Sequence, residues 1–346
     1  MTVLNDCPYI MKKTLKLMAA LVVGAGMMFS CQQADEPAMD DAQQAAAKTR
    51  AYGDKTPKVA IYVETNDVNP LNAGDYVLSD GSAYADIVEF FASNIHKRTV
   101  NGVEEPTLYL NDKMTNLLEN GGAATYVQGL QAKGIKVVLT VLGDWQGIGV
   151  ANMNDTQTTQ FAKILAHAVE KYGLDGIGFD DEYANYSTPL ISGSFGDIIT
   201  KLRALIPGKL ITVFQYGNVG SSQIDATDGA QIDYAYTDFG YNTSIGISGV
   251  TKERYAPLSI NLGNMINSLL ILSYKSQTTN LTNAGYGAIM HFNLRTLSER
   301  NQLPLFNAIA DAAWGETVTC ENGNRPQDWT FVSTGYEITM DEVNAQ

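Results

Sequence analysis

The sequence predicts an α/β chain folded as a single (β/α)8 barrel. Short apolar runs alternate with helical patterns from Lys58 onward, the runs number eight, and the stretch that holds them, residues 58–315, has the size of one barrel at about 250 residues. Parallel strands covered on both faces read as such runs. In order, the candidate strands are Val59 to Glu64, Ile87 to Ala92, Val137 to Leu142, Gly176 to Asp181, Leu210 to Phe214, Tyr234 to Phe239, Ser259 to Leu262 and Ala288 to Asn293. Between the third and fourth, Thr158 to Tyr172 carries Phe161, Leu165, Ala168 and Val169 on one helical face. Pro304 to Trp314 reads as the closing helix. Residues 316–346, with Cys320 and Trp329, have weak periodicity and receive no assigned element.

Ahead of the barrel, the segment from Met11 to Cys31 has a basic start, a short apolar stretch and a small residue before cysteine. That order is a secretory signal, too short and wrongly flanked for a membrane span. Met28-Phe29-Ser30-Cys31 resembles a bacterial lipobox, in which the cysteine thiol takes a diacylglycerol and becomes the mature N-terminus. Met11 is then the expected start, and residues 1–31 form the signal segment. Residues 32–57, rich in Ala, Gln, Asp and Glu, read as a flexible tether. The acidic start of that tether, Asp35-Glu36 and Asp40-Asp41, resembles a surface-export signal of Gram-negative lipoproteins, with plain linker composition as the other reading. The expected location is the outer membrane, lipid-anchored through Cys31 and surface-exposed.

Composition narrows the function classes. With 23 basic and 37 acidic residues the formal charge is −14, which repels phosphate backbones, so nucleic acid is not an expected partner. Three cysteines cannot build a disulfide framework, and the sequence has no CxxC or HExxH spacing for zinc. No metal and no cofactor are expected, and the chain is expected to be a monomer.

The most informative segment is Asp175-Gly-Ile-Gly-Phe-Asp-Asp-Glu182. Strand alternation points Gly178, Asp180 and Glu182 one way and Ile177, Phe179 and Asp181 the other. Two carboxyls on one face disfavour each other's ionisation, which keeps one protonated near neutral pH as a general acid requires. Position at the carboxyl end of a barrel strand favours this reading over a solvated acidic turn.

The segment resembles the DGxDxDxE signature of glycoside hydrolase family 18, with Gly178 in place of the middle Asp. Val59-Ala-Ile-Tyr-Val-Glu-Thr-Asn66, Ile135 through Gly149 with its Gly-Asp-Trp-Gln-Gly, and Lys171 through Tyr186 resemble the Endo H and Endo F type endo-β-N-acetylglucosaminidases. The likeness runs from about Lys58 to Trp314 and is firmest through residue 217. It implies cleavage between the two core N-acetylglucosamines of N-linked glycans. The substrate's own acetamide would attack, Glu182 would serve as acid and then base, and Asp180 would hold the acetamide N–H and the oxazolinium. Asp175 either supports the loop or is a structural turn residue.

Two departures stand out. Gly178 removes the inner Asp that can share a proton with Asp180, which therefore needs another partner to orient it. Related enzymes bind the acetamide carbonyl with an Asn or Gln and a Tyr from the sixth strand; here Asp233 through Tyr241 aligns Thr237 and Phe239 there, and Phe239 has no hydrogen-bond donor. A register shift would bring Tyr236 or Tyr241 instead. Further candidate sugar contacts are Trp145, Gln215, Tyr216, Asn293 and Glu64, each with a structural reading beside it. The alternative functions are a non-catalytic glycan-binding protein on the same barrel and, less favoured, a chitinase.

Overall fold

The computed structural model describes residues 55–217, 221–327 and 334–345, all within the second of the two compact units of the chain, Ala42–Gln346. The signal segment, Cys31, most of the tether and Trp329 lie outside the described residues.

Eight parallel strands form the barrel: β1 Lys58–Glu64, β2 Ile87–Val100, β3 Lys136–Leu142, β4 Gly176–Asp180, β5 Leu210–Gln215, β6 Tyr234–Thr237, β7 in two pieces, Tyr255–Ala256 and Leu258–Asn261, and β8 Ala288–Phe292. Neighbours run β6-β5-β4-β3-β2-β1-β8-β7. Pro257 splits β7 because it has no N–H for the ladder. Its first half pairs with β6 (Tyr255 with Ala235, Ala256 with Tyr236) and its second with β8 (Ser259 with Met290, Asn261 with Phe292), so one short segment joins both edges and closes the barrel. The Ser259 hydroxyl donates to the Thr237 carbonyl across this seam at 2.7 Å. Sequence pattern alone starts β7 at Ser259, since the proline masks its first half.

The helix after β3 spans Asp155–Tyr172, three residues longer at its start than its apolar face implies. Asn154 accepts from the Gln157 N–H, and the Gln157 side chain accepts from the Asn154 N–H, a reciprocal cap. Gly173 ends it at φ +66. The predicted face is buried: Phe161, Leu165, Ala168 and Val169 all pack into the layer between helices and barrel. The closing helix is Leu303–Trp314.

Strand β2 continues past the barrel, turns at Asn101-Gly102, and returns as Val103–Leu110. Both turn residues have positive φ, +50 and +80, as a two-residue hairpin requires. Past residue 315 the chain returns to this frame. Val318–Cys320 pairs with Tyr76–Leu78, Tyr336–Ile338 adds a strand to the hairpin, and Arg325 makes two bonds of 2.8 and 2.7 Å to the Asp75 carboxylate.

Candidate active site

Glycine opens β4 because backbone and carboxyl groups crowd it. A Cβ on Gly176 would stand 2.2 Å from the Leu210 carbonyl oxygen. One on Gly178 would stand 2.4 Å from Glu89 Oε2 and 2.7 Å from Thr212 Oγ1. The face shared by Gly178 and Asp180 is therefore the barrel interior. Asp180 ends the strand almost wholly buried, and its Oδ1 accepts the Glu182 N–H at 2.9 Å. Burial pushes its carboxyl up to about 8; the bond from Glu182 opposes this, and the charges of Glu182, Asp181 and Glu89 add to it. Glu182, partly buried on the following turn, is raised by desolvation as well. Asp181 faces elsewhere and accepts from the Tyr186 hydroxyl, which itself accepts the Ala151 N–H at 3.2 Å. Thus the three successive carboxyls divide: Asp180 and Glu182 interact with each other, and Asp181 ties down the loop.

The loop after β3 is a bed for the loop after β4. A Cβ on Gly143 would lie 2.3 Å from Ala184 N and 2.7 Å from the Glu182 carbonyl oxygen, and one on Gly149 would lie 2.8 Å from Ala184 Cβ. The Trp145 backbone N–H donates to the Tyr183 carbonyl at 3.0 Å, and the two rings stand 5.6 Å apart. Both residues have positive φ and exposed rings. With Tyr216 they edge a hollow of about 350 Å³ that also includes Asp181 and Tyr186. Beside it Phe239 packs on Phe214 at 5.8 Å and on Phe292 at 5.5 Å between ring centroids. Aromatic faces at such a rim suit stacking on sugar rings.

The other predicted residues are spread over the barrel. Glu64 and Asn293 meet at the mouth: the Asn293 N–H donates to Glu64 Oε1 at 2.9 Å, and the Asn293 amide donates to Asn261 Oδ1 at 3.1 Å. Burial pushes Glu64 up to about 7. Gln215 accepts the Gly246 N–H at 3.0 Å, holding a loop. Tyr236 is fully buried in the barrel interior, where its hydroxyl donates to Glu89 at 3.3 Å. This places Thr237 on the opposite face, buried beside Tyr255, and Phe239 beyond the strand end, about half exposed. The alignment that paired Thr237 with Phe239 in one pocket is corrected accordingly: a strand residue next to an inward Tyr236 must point outward. Asp175 lies at the amino end of β4, not at the mouth. Its carboxylate accepts from Val137 N at 3.0 Å and pairs with Lys136 at 3.0 Å, so it clamps β3 to β4 at the barrel floor. Of the predicted loop-supporting and structural roles, this is the structural one.

Sequence reasoning missed Glu89. It is fully buried on β2 and accepts from Thr140 Oγ1 at 2.9 Å, Thr212 Oγ1 at 2.7 Å and Tyr236. Burial pushes it up to about 7 against these three donors. The signal was a lone carboxylate inside Ile87-Val-Glu-Phe-Phe91, since a charged residue is almost never fully buried without partners.

No protein-family model matches the chain. Among curated proteins it is 34% identical over 272 residues to an endo-β-N-acetylglucosaminidase of Flavobacterium sp. (strain SK1022), covering 76% of this chain and 82% of that protein. It is 30% identical over 305 residues to endo-β-N-acetylglucosaminidase F1 of Elizabethkingia meningoseptica, covering 82% and 87%. Among solved structures, EndoBT-3987 of Bacteroides thetaiotamicron with its Man5GlcNAc product has a TM-score of 0.64 at 24% identity, over 83% of this chain and 68% of that one. A GH18 chitinase of Pseudoalteromonas aurantia has a TM-score of 0.50 at 16% identity, over 74% and 99%. These structural likenesses speak to the barrel.

Proposed function

The chain belongs to the Endo H and Endo F type endo-β-N-acetylglucosaminidases of glycoside hydrolase family 18, and from that premise we propose that it hydrolyses the β-1,4 bond between the two core N-acetylglucosamines of N-linked glycans with retention of configuration. The observation that carries this is the pair Asp180 and Glu182, one buried at the strand end and one on the turn that follows. Desolvation raises the Glu182 pKa, which favours the protonated form that can give its proton to the glycosidic oxygen. As the leaving sugar departs, the substrate's acetamide oxygen closes on the anomeric carbon and a positive oxazolinium forms. A cation beside Asp180 favours its ionised form, so the carboxylate's negative charge stands where the transition state needs it. Glu182, now a carboxylate, takes a proton from the water that opens the ring. Trp145, Tyr183, Tyr216 and Phe239 offer aromatic faces to the glycan, and Glu64 with Asn293 offers polar groups from the other side of the mouth.

Mass spectrometry of an N-glycoprotein after incubation tests this reading. One N-acetylglucosamine should remain on each processed asparagine, with the matching glycan free in solution. Intact glycopeptides after prolonged incubation with folded protein would overturn it and favour the binding-only alternative.

The same reading attaches the enzyme to the outer membrane through lipid on Cys31, with the tether holding the barrel at the cell surface. Its support is the apolar run ending at Met28-Phe29-Ser30-Cys31 and the acidic residues that follow. Cys31→Ala should release the protein from membranes in salt alone, and external protease should detach an active barrel from intact cells. Protease resistance until lysis would contradict surface display.

A further inference from the structure

A carboxyl stands at the place where β4 lacks one. Gly178 leaves room on the inner face of β4, and the group that fills the room is the Glu89 carboxyl, reaching in from β2. Side chains two apart on a strand share a face with roughly 7 Å between them, so this carboxyl sits directly beneath Asp180. Its location is fixed by the Thr140 hydroxyl on Oε2 and by the Thr212 and Tyr236 hydroxyls on Oε1. Those three donors come from three further strands, β3, β5 and β6. The packing is mutually exclusive: a side chain at 178 and the present position of Glu89 cannot coexist.

We propose that Glu89 is the positioning residue for Asp180, supplying from the second strand the inner carboxyl that Gly178 omits from the fourth. This rests on the function proposed above. The groups facing Asp180 are Tyr62 of β1, Glu89 of β2, and Asp181, Glu182 and Tyr183 of its own loop; those facing Glu89 are Tyr62, Tyr236 of β6 and Asp180. Among the described residues, no cation is one of them. Two carboxyls in one buried cluster without a cation hold a proton between them, and the apparent constants belong to the pair. In the resting pair the proton lies on Asp180 and the charge on Glu89; when the oxazolinium forms beside Asp180, the proton passes to Glu89 and the negative charge is left on Asp180, beside the cation. The hydroxyls around Glu89 can accept from its protonated form as readily as they donate to its charged form, so the shift needs no movement of the barrel.

The test compares the wild type, Glu89→Gln, Glu89→Ala, and Glu89→Ala combined with Gly178→Asp. The glutamine variant keeps the shape and an acceptor for the threonines but cannot ionise. It should lower kcat by about tenfold or more, leave KM within about threefold, and move the acid limb of the rate profile to lower pH, because Asp180 loses a carboxyl neighbour. Carboxyl 13C NMR, with the Asp180 resonance assigned by its loss in Asp180→Asn, should show the same downward shift in the absence of turnover. In the double variant the carboxyl returns to β4, and kcat should recover at least about fivefold over Glu89→Ala. An unchanged Asp180 titration in Glu89→Gln, or a double variant no faster than Glu89→Ala, would overturn the proposal. A wild-type protein that releases no glycan would overturn the enzymatic reading instead, and the NMR titration would still decide whether Glu89 governs Asp180.

Discussion

Gly143 lies against Ala184 so closely that a Cβ on the glycine would stand 2.3 Å from the Ala184 backbone nitrogen and 2.7 Å from the Glu182 carbonyl oxygen. The loop after β3 thereby sets the height of the turn that carries Glu182. Neither residue bears a titratable or hydrogen-bonding side chain, yet the contact sets where the Glu182 turn sits.

Gly143→Ala should therefore act on catalysis more than on folding. The Cβ meets backbone, which cannot swing aside, so the Glu182 turn must move by some tenths of an ångström or more. A displacement on the order of 1 Å at a reacting group can cost about 100-fold in rate. Steady-state kinetics should show kcat falling by one to two orders of magnitude on the order of that estimate, while the melting temperature changes by only a few degrees. Unaltered kcat in the folded variant would show that the loop tolerates the intrusion.

Glu182→Gln should remove the proton that Glu182 gives and takes back. Turnover should fall by about 10²- to 10⁴-fold while glycopeptide binding, measured by calorimetry, stays within a few-fold. Comparable losses of binding and rate would assign Glu182 to substrate positioning.

On the sixth strand, Tyr236 and Phe239 make opposite predictions. Tyr236 supports Glu89 from inside the barrel, so Tyr236→Phe removes one of three donors to a buried carboxyl, at a cost on the order of 1–3 kcal/mol. It should slow turnover about tenfold or more. Phe239 sits at the rim, and Phe239→Tyr should leave kcat within about twofold. A faster Phe239→Tyr with a neutral Tyr236→Phe would place the acetamide at Phe239.

The general plan was legible in the sequence because the barrel strands hold short apolar runs of the kind a parallel barrel requires. Pattern failed where single residues override it. Pro257 hid the first half of β7, and the extension of β2 past Ala92 alternates in a partly exposed hairpin whose Asn101-Gly102 turn, not its apolarity, defines it. The placement of Asp180 and Glu182 at the carboxyl end of β4 was legible because the two sit in one motif. Glu89 was not, because its relation to Gly178 is made across strands, 89 residues apart, and no local spacing encodes it. Thr237 and Phe239 were misjudged because alignment fixes a position in the chain, while the face is fixed by the inward partner Tyr236.

Stability should depend on pH in the unusual direction. Glu89 and Glu64 are raised to about 7 and Asp180 to about 8, in each case first by burial. Their folded values exceed the unfolded ones, so the native state binds more protons across this window. The stabilisation is full below about pH 4 and is lost as pH rises toward 7 and 8. Thermal melts should show the midpoint falling from pH 5 to pH 8, with Glu89→Gln flattening the slope. A midpoint that rises over that range would show that these carboxyls are ionised in the folded protein.

Substrate-assisted cleavage by Asp180 and Glu182 is tested most directly by the configuration of the first product. Attack by the acetamide followed by water inverts twice, so proton NMR during the earliest minutes of glycopeptide hydrolysis should show the β-anomer of the released N-acetylglucosamine terminus, with the α-anomer growing in only at the rate of spontaneous mutarotation. The α-anomer appearing first would mean a single displacement by water and would contradict the account.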